Sequence, residues 1–250
     1  MKNLKDQLSL GGLNVLEVGA GIGVVGSCLA AAGGNVLITD LPVLVTHGIG
    51  PNLRRNARAN QLRIDADEEG CDQEREQLCP TFLADASTLE TTTSDTPSFN
   101  PINIGRGWAK SAVLDWFKPV EGQLPLSTTM DIDVIVACDC IFLRKLADPL
   151  LTTIATIFQH SSAKNTIFFF TFQRRNMLGL FIQLEELLGM IEKRGWTVEC
   201  VAWRDVEIED DGVHQNYLFQ VTPGGDRIEL ADGSSAATIN STFIEEEKKE

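Results

Sequence analysis

Acidic side chains lie at or close to the ends of several short apolar segments, where they could hydrogen-bond a nucleoside or a substrate amine. Glycines crowd the stretch LEVGAGIGVVG in the first of these segments, so the backbone there could pass close to a bound molecule. The candidate residues for this chemistry are Glu17, the glycines of residues 19–26, Asp40, Asp115 with Trp116, and Asp139. Whether they meet depends on the elements that carry them.

The glycine stretch fits two ligand-binding patterns. Residues 21–26 read GIGVVG, a literal G-x-G-x-x-G, which is typical of dinucleotide-binding loops. Residues 17–23 read EVGAGIG, an acid-x-G-x-G-x-G, which is typical of enzymes that use S-adenosylmethionine (SAM). In a dinucleotide fold the first glycine follows the strand directly. Counting from Gly19 puts Val24 at the third glycine position, and counting from Gly21 leaves two extra residues after the strand.

The SAM pattern needs no such shift, and we favour it. It predicts that the Glu17 carboxylate accepts hydrogen bonds from water or from the ammonium group of the ligand. Gly19, Gly21 and Gly23 would let the backbone pass against the methionine and the ribose. Because SAM has no phosphate, the N-terminus of the following helix would bind its carboxylate. Gly26 is then assigned to close packing of that helix on the strand.

Two further positions suit a nucleoside. Asp40 follows the apolar segment NVLIT, where its carboxylate could accept hydrogen bonds from both ribose hydroxyls. NAD and SAM share that diol, so Asp40 does not choose between them. Asp115 and Trp116 end the segment SAVLDW, where the carboxylate could accept from the adenine amino group and the indole could pack on the purine. A tryptophan buried in the core is the alternative for Trp116.

Apolar segments alternate with helical patterns along the chain. We predict strands at 14–18, 35–39, 111–116, 131–137, 166–172, 196–203 and 216–221, and helices at 24–32, 146–158 and 180–193. Gly48, Gly50 and Pro51 predict a break in the helical segment after Asp40, with a fresh helix from Pro51 to about residue 62. The elements predict an α/β fold, a Rossmann-like, doubly wound seven-stranded sheet with an antiparallel last strand and its ligand at the carboxyl strand ends.

Residues 1–222 are predicted to form a single domain. Within it, residues 63–110 are first acidic and then rich in Thr, Ser, Pro and Asn, which predicts a long, partly disordered surface insertion. The segment CPTFLAD is a candidate strand inside it. Residues 223–250 are dominated by Gly, Ser, Ala and Glu, which predicts a flexible acidic tail.

Charge and composition argue against several classes of function. The net charge of −14 disfavours a nucleic acid held through its phosphates and is compatible with a lysine-bearing substrate. No apolar run is long enough for a membrane span, and the N-terminus lacks the apolar core of a signal peptide. We therefore expect a cytoplasmic protein that could also enter the nucleus. The six cysteines form no C-x-x-C pair and have no companion histidine cluster, so we expect free thiols and no metal site.

The motifs together resemble the seven-β-strand protein-lysine methyltransferases, from about residue 12 to residue 221 without the insertion. The matching pieces, in order, are VLEVGAGIGVVG, TDLP, NLRRNARAN, LDW, ACDCIF and TIFFFTFQRR. The glycine motif is common to many methyltransferases, whereas the combination is more specific. The pattern is most similar to the cytosolic methyltransferase-like 21 subgroup, which includes the enzyme that modifies valosin-containing protein and relatives that act on Hsp70 and elongation factors.

This resemblance implies a class I methyltransferase fold, with SAM as the methyl donor and S-adenosylhomocysteine (SAH) as the product. It implies a monomer that modifies a protein lysine, for example on a chaperone, an AAA ATPase or a translation factor. The residues that it places around the cofactor are Gly19, Ala20, Gly21, Gly23, Asp40, Leu41, Asp115, Trp116 and Cys138. Asp139 would face the sulfonium and the lysine channel, and Phe142 stands where the family usually has tyrosine.

The chain departs from the family pattern in four places. Phe142 cannot donate the hydrogen bond of a tyrosine hydroxyl. The segment between Asp40 and Asn56 is a few residues longer than usual, and the insertion has no counterpart that we recognise. The family also carries an aromatic segment upstream of the first strand. We expect either that this segment precedes the sequence given or that the pocket closes differently.

Transfer of a methyl group from a sulfonium is an in-line displacement, for which an enzyme must align donor and acceptor, exclude water and supply a neutral amine. Asp139 would orient the amine or accept its proton, and Phe142 and Phe172 could wall an apolar lysine channel. Structural roles, capping for Asp139 and core packing for Phe142, are the alternatives.

Four other functions compete with this one, and the acidic charge together with the sequence at 139–142 argues against the first, a nucleobase acceptor. A nucleobase methyltransferase typically has an Asn/Asp-Pro-Pro-aromatic segment, where this chain has Asp-Cys-Ile-Phe at 139–142. A small-molecule acceptor and a non-catalytic SAM-binding protein are further alternatives. An NAD-linked oxidoreductase would use Gly21, Gly23 and Gly26. Such an enzyme needs a proton relay, for example a Y-x-x-x-K motif. The sequence has no such motif, and its single tyrosine, Tyr217, lies in a late strand.

Overall fold

A computed structural model of the chain describes residues 10–57, 100–161, 166–174, 179–208 and 212–224. The strands are β1 Asn14–Val18, β2 Asn35–Asp40, β3 Ile102–Ile104, β4 Gly107–Val113, β5 Val134–Ala137, β6 Ile167–Gln173, β7 Thr197–Ile208 and β8 Gly212–Thr222. The helices are α1 Val24–Ala31, α2 from Pro42 to residue 57, α3 Leu126–Met130, α4 Arg144–His160 and α5 Leu184–Glu192, with a 3₁₀ turn at Val120–Gly122.

All eight strands form one sheet in the order β3-β4-β2-β1-β5-β6-β8-β7. The five strands β4, β2, β1, β5 and β6 are parallel, and β8 runs antiparallel to both β6 and β7. The predicted doubly wound sheet with an antiparallel last strand is confirmed, with β3 as an additional edge strand. The parallel strands end at the same edge of the sheet, which we call the carboxyl edge, and ligands of such folds bind there.

The strand β3 and the first half of β4 correct the predicted boundary of the insertion. They form an antiparallel hairpin in which Ile104 pairs with Gly107. Regular structure therefore resumes at Ile102, inside the segment 63–110, and the strand predicted at 111–116 begins and ends earlier, at Gly107–Val113. The rest of the predicted insertion, CPTFLAD and most of the predicted tail lie outside the described residues, so those predictions are untested.

Helix α2 is continuous where a break was predicted. After Pro42–Leu44 it forms a π turn at Val45–Ile49, in which the amide of Gly50 donates to the carbonyl of Val45, and it continues through residues 50–57. Pro51 has no N–H, and in a regular α-helix its ring would press on a carbonyl of the preceding turn. The wider π turn accommodates Pro51, so the proline does not end the helix.

Two clusters of buried apolar side chains hold the sheet between its helices. On one face, the side chains of α4 and α5 pack on Leu16, Ile135 and Phe170; on the other face, Val36 and Ile38 are buried beneath α1 and α2. Alternation along β6 buries Phe168, Phe170 and Phe172 on the first face. Among the described helices, none is both long enough and apolar enough to cross a membrane.

Candidate active site

The glycine loop between β1 and α1 is shaped by three glycines with positive φ. Gly19, Gly21 and Gly23 have φ angles of 67°, 60° and 79°, a region that side chains other than glycine rarely adopt. The loop lies across the end of β2, where the amide of Ala20 donates to the carbonyl oxygen of Thr39 at 3.1 Å. The sequence therefore places glycines where the backbone turns back over the carboxyl edge.

The glycines of the loop face different surroundings. A Cβ on Gly19 would lie 2.8 Å from the Trp116 ring and 2.9 Å from Cys140, whereas a Cβ on Gly21 would meet nothing within 4 Å. Gly23 faces Ile49 of α2. Of these three glycines, Gly21 thus faces the open space in which a ligand could lie, and Gly19 and Gly23 allow close packing of the protein on itself. Ligand contact by Gly19, Ala20 and Gly23 stays a prediction.

Glu17 points away from this open space. Its side chain is 1% exposed, and its carboxylate oxygen Oε2 accepts a hydrogen bond from the amide of Gly26 at 3.0 Å. A Cβ on Gly26 would collide with that carboxylate and with Ile38, so the predicted close packing at Gly26 is confirmed. Burial is the main reason that the pKa of Glu17 rises from 4.5 to about 7. The hydrogen bond from the Gly26 amide lowers this pKa in part, and the charge of Asp40 adds a smaller increase. The predicted contact of Glu17 with a ligand remains untested.

Asp40 connects the glycine loop to the start of α2. One carboxylate oxygen accepts from the amide of Gly21 at 2.7 Å, and the other accepts from the amide of Leu41 at 2.7 Å. The carboxylate is therefore fixed at the rim of the open space beside Gly21. Leu41 is 45% exposed next to it and provides an apolar surface.

Asn52 is a residue of the site that the sequence analysis did not single out. Its side-chain amide donates to the carbonyl oxygen of Ile22 at 2.9 Å, so α2 holds the glycine loop from its outer side. A Cβ on Gly48 of the same helix would lie 3.3 Å from the carbonyl oxygen of Gly21. The motif TDLP followed by NLRRN thus marks the helix that supports the loop.

Asp115 and Trp116 lie in a loop after β4, beyond the end of the strand. The indole of Trp116 covers Gly19, and its Nε1 is buried without a hydrogen-bond partner among the described residues. Asp115 accepts from the amide of Phe117 at 3.1 Å and pairs with Lys118 at 3.3 Å. Trp116 also borders a cavity of about 280 Å³ beside α4, so this ring separates the loop from that cavity.

Gln123 holds the Asp115–Trp116 loop, and sequence reasoning missed it. Its side-chain oxygen accepts from the amide of Asp115 at 2.7 Å, and its Nε2 lies within hydrogen-bonding distance of three carbonyl oxygens, those of Asp115, Lys118 and Pro119. One amide side chain thus replaces the backbone pairing that a strand would have provided. Nothing in the sequence distinguishes this glutamine from an exposed one.

Asp139 follows β5 at the carboxyl edge. Among the described residues, Asp139 is the one residue other than glycine that has a positive φ angle, which is 50°. Its amide donates to the hydroxyl of Thr171 on β6 at 2.9 Å, and its carboxylate is exposed. A bulky residue would resist this backbone conformation, which asparagine and aspartate tolerate best. The conformation turns the chain out of the strand and presents the carboxylate at the edge.

The thiols of Cys138 and Cys140 flank Asp139 and stay protonated. Burial, followed by the charge of Glu17, raises the pKa of Cys138, and the hydroxyl of Thr171 opposes this only in part. Cys140 is also buried, and the charges of Asp40, Asp139 and Glu17 add to the rise in its pKa. The thiol of Cys140 donates to the carbonyl oxygen of Val18 at 3.6 Å, and Cys140 packs against Gly19, so the segment after β5 lies against the glycine loop.

Phe142 is half-buried and lies between Asp139 and the start of α4. Its ring contacts Phe181 with centroids 6.3 Å apart, and its carbonyl oxygen accepts from the amide of Ile182 at 3.0 Å. Phe172, which we predicted to wall the lysine channel, is 2% exposed and belongs to the core. That prediction is wrong because alternation along β6 points Phe172 into the apolar layer. The second aromatic ring beside Phe142 is that of Phe181.

The described residues fit SAM at several points. The open space at Gly21, the carboxylate of Asp40 at its rim and the buried Nε1 donor of Trp116 suit a ligand that has a ribose diol and a purine with ring-nitrogen acceptors. No cluster of metal-binding side chains occurs in the part of the chain that the structure describes. The strand order, the glycine loop and the strand-end carboxylates define a class I SAM-dependent methyltransferase.

The sequence comparison identifies the family. A profile described as lysine methyltransferase matches residues 1–81 and 102–186, which is more than half of the chain. The protein therefore belongs to the lysine methyltransferase family, and the literal G-x-G-x-x-G at 21–26 is not a dinucleotide fingerprint. No curated protein matches the sequence.

Several solved structures are similar to this chain at low sequence identity. The magnesium protoporphyrin IX methyltransferase of Synechocystis PCC 6803 with bound SAH has 11% identity and a TM-score of 0.45, covering 88% of this chain and 78% of that one. A TehB-like SAM-dependent methyltransferase of Corynebacterium glutamicum has 17% identity and a TM-score of 0.43, covering 86% and 84%. A Streptococcus pneumoniae protein, described as a candidate tRNA (m1A22) methyltransferase, has 11% identity and a TM-score of 0.46, covering 99% of this chain and 80% of that one. These likenesses are too distant to bear on the acceptor of this chain.

Proposed function

We propose that this chain transfers a methyl group from SAM to the side-chain amine of a lysine in a protein. The observation that carries the proposal is the exposed carboxylate of Asp139, which a left-handed backbone conformation presents at the end of β5. Strained backbone at a non-glycine residue concentrates at functional sites. The family match supports lysine as the acceptor.

Asp139 would act on the incoming amine. Lysine has an ordinary pKa of about 10.4, so at neutral pH the amine must lose a proton before it can attack. A carboxylate at this position can accept hydrogen bonds from the amine and orient its lone pair. When bound, SAM supplies an electrophilic methyl group on a sulfonium. The residues of the chain contribute alignment and a suitable environment rather than covalent chemistry.

The protonated thiols protect the site from a competing reaction. A thiolate is a strong nucleophile, and a thiolate near an activated methyl group would itself be methylated. Because burial raises the pKa of both Cys138 and Cys140, neither thiol is ionised at neutral pH. The resemblance to the family placed Cys138 at the pocket wall, and a neutral thiol serves there as a small apolar surface.

The paired rings of Phe142 and Phe181 suit the aliphatic stem of a lysine. Their centroids are 6.3 Å apart and their planes are tilted by 55°. An ammonium or methylammonium group over either ring would gain roughly 0.5–2 kcal/mol. This apolar surface lacks a hydroxyl, so Phe142 takes no part in proton transfer.

Two measurements test the proposal. Isothermal titration calorimetry of the full chain with SAM should show binding, and Asp40→Ala should weaken it by roughly tenfold or more, because a charged hydrogen bond contributes about 1.5–3 kcal/mol. Asp131→Asn is the control, since Asp131 is exposed before β5, at the opposite edge. Equal affinity of SAM for the wild type and Asp40→Ala would contradict the assigned cofactor site.

Methyl transfer is measured with methyl-labelled SAM and the proteins of a cell lysate, followed by hydrolysis and chromatography of the amino acids. Label in methyllysine is expected. Asp139→Asn should retain SAM affinity and lose most of the transfer, because asparagine tolerates the same backbone conformation but carries no charge. Label in another amino acid would contradict lysine as the acceptor, label in small metabolites would favour a small-molecule acceptor, and no label would favour a non-catalytic relative.

The partner, the location and the assembly follow from the same proposal. We propose a chaperone, an AAA ATPase or a translation factor as the substrate class, a cytoplasmic or nuclear location, and a monomeric enzyme. Mass spectrometry of the labelled band identifies the substrate. Microscopy of a tagged chain and light scattering test the location and the assembly.

A further inference from the structure

Strands β7 and β8 extend beyond the rest of the sheet. Pairing between β6 and β8 ends at Gln173 and Asn216, whereas pairing between β7 and β8 continues to Ile208 and Gly212. We call residues 203–208 with residues 212–216 the hairpin arm. Trp203 lies level with Phe172 of β6, and from Asp205 onward the hairpin arm projects past Gln173, the last residue of β6, and so past the carboxyl edge.

One face of the hairpin arm combines apolar and acidic side chains. Residues directly opposite each other on paired strands share a face, so Trp203, Asp205 and Glu207 lie on the same side as Val213. Trp203 is 55% exposed and Val213 is 65% exposed. Large apolar side chains in the solvent beside carboxylates are typical of a surface that binds a partner.

The outer edge of β7 is open. In the sheet formed by the described residues, β7 is the last strand and pairs only with β8. Its outward N–H and C=O groups are therefore available to another extended chain, which is how peptides bind by strand addition. Charged residues on such an edge often prevent aggregation and bind no partner. The experiment below distinguishes this alternative from peptide binding.

The charge of the hairpin arm selects the partner. Asp205 and Glu207 are exposed on the apolar face, and Arg204 points to the opposite face. The whole chain has a net charge of −14. A lysine side chain matches this face in both of its parts, since its aliphatic stem can cover Trp203 while its ammonium group reaches a carboxylate.

We propose that the hairpin arm is the docking surface for the polypeptide substrate, which adds as an extended strand along the free edge of β7. Basic side chains that flank the target lysine contact Asp205 and Glu207, and the strand leads the target lysine towards Asp139. This inference rests on the proposed function, because it takes a lysine-bearing polypeptide as the substrate.

The test uses a fluorescein-labelled ten-residue peptide of alternating lysine and valine. In an extended strand, its lysines lie on one side. A second peptide carries N-methyl groups on two adjacent central residues, one valine and one lysine, so that it lacks an N–H group on both edges of the strand and keeps the same charge. Fluorescence anisotropy gives the affinity of each peptide for the full-length chain. The wild type should bind the first peptide at least several-fold more tightly than the second.

The variants separate docking from general acidity. Asp205→Lys with Glu207→Lys should weaken binding of the first peptide by about tenfold, since each exposed pair contributes up to about 1 kcal/mol. Glu121→Lys with Asp131→Lys is the control, because both residues are exposed acids outside β7 and β8, and it should change affinity less than twofold. Trp203→Ala should weaken binding with little effect on its salt dependence. SAM affinity should be equal in all variants and shows that they fold.

Three results would overturn the docking surface: no binding of the first peptide by the wild type, equal losses in the two double variants, or equal affinity for the two peptides. The methylation assay keeps this outcome separate from the proposed function. Transfer to lysine that is insensitive to the hairpin-arm variants removes the docking surface and leaves the function intact. If peptide binding depends on the hairpin arm but no methyl transfer occurs, the proposed function is removed and the peptide-binding surface is kept.

Discussion

The buried carboxylate of Glu17 predicts a pH-dependent stability that one substitution should remove. Glu17 is 1% exposed beneath α1, and its pKa rises from 4.5 to about 7 on folding. Between these two values the folded chain holds a proton that the unfolded chain has released. The free energy of unfolding therefore decreases as the pH rises through this window, by about 1.4 kcal/mol per pH unit. The total decrease in the free energy of unfolding is about 3 kcal/mol, and it is complete above pH 7.

Glu17→Gln keeps an oxygen that can accept from the amide of Gly26 but has no charge to bury. We expect the variant to gain stability relative to the wild type as the pH rises from 4.5 to 8, by about 3 kcal/mol in total. Urea unfolding at half-unit pH intervals measures the difference. Glu121→Gln, at an exposed position, is the control and should run parallel to the wild type.

The outcome that refutes this reasoning is a constant difference between Glu17→Gln and the wild type across the window. It would mean that Glu17 titrates alike in the folded and unfolded chains. A difference that grows in the opposite direction would mean that the folded state stabilises the charged form. In that case the Gly26 amide, and not burial, would dominate the pKa of Glu17.

Further substitutions test the packing of the site. Gly26→Ala should destabilise the fold by about 1–3 kcal/mol, because its Cβ meets the Glu17 carboxylate and lies 2.6 Å from Ile38. Gly189→Ala is its matched control, since a Cβ there meets nothing within 4 Å, and thermal unfolding should show a gain of about 0.5–1 kcal/mol. Gln123→Ala should lower SAM affinity in calorimetry more than it lowers the melting temperature, because it frees the Asp115–Trp116 loop. Equal stability of the two glycine variants, or unchanged SAM affinity of Gln123→Ala, would contradict these assignments.

The sequence was most informative where local pattern and chemistry agree. A buried apolar segment followed by glycines, then a strand ending in Asp40, determines the β1–α1–β2 unit, because each feature acts over a few residues. Gly19, Gly21 and Gly23 adopt positive φ angles, which glycine tolerates at low cost, so the residue type permits this turn. The position of Asp139 at the end of a central strand was predicted for the same reason.

The failures arose where distant contacts decide. The short hairpin strand β3 gains its stability from pairing with β4, and its three residues carry too little pattern to be recognised. Phe172 was assigned to the channel because alternation does not tell which face of β6 meets the core. The bonds of Gln123 and Asn52 to backbone oxygens depend on where loops converge, which no local pattern encodes.

The π turn of α2 also sets the rotational phase of that helix. Each residue of an α-helix advances the side-chain direction by about 100°, so one surplus residue in a turn rotates everything beyond it relative to everything before. The turn at Val45–Ile49 lets Pro42 begin the helix beside Asp40 and still directs Asn52 at the carbonyl oxygen of Ile22. Removing one residue from this turn would give a more regular helix that points its supporting amide away from the glycine loop. The surplus residue of this turn is therefore an adjustment of angle, through which a helix that starts beside Asp40 reaches the glycine loop.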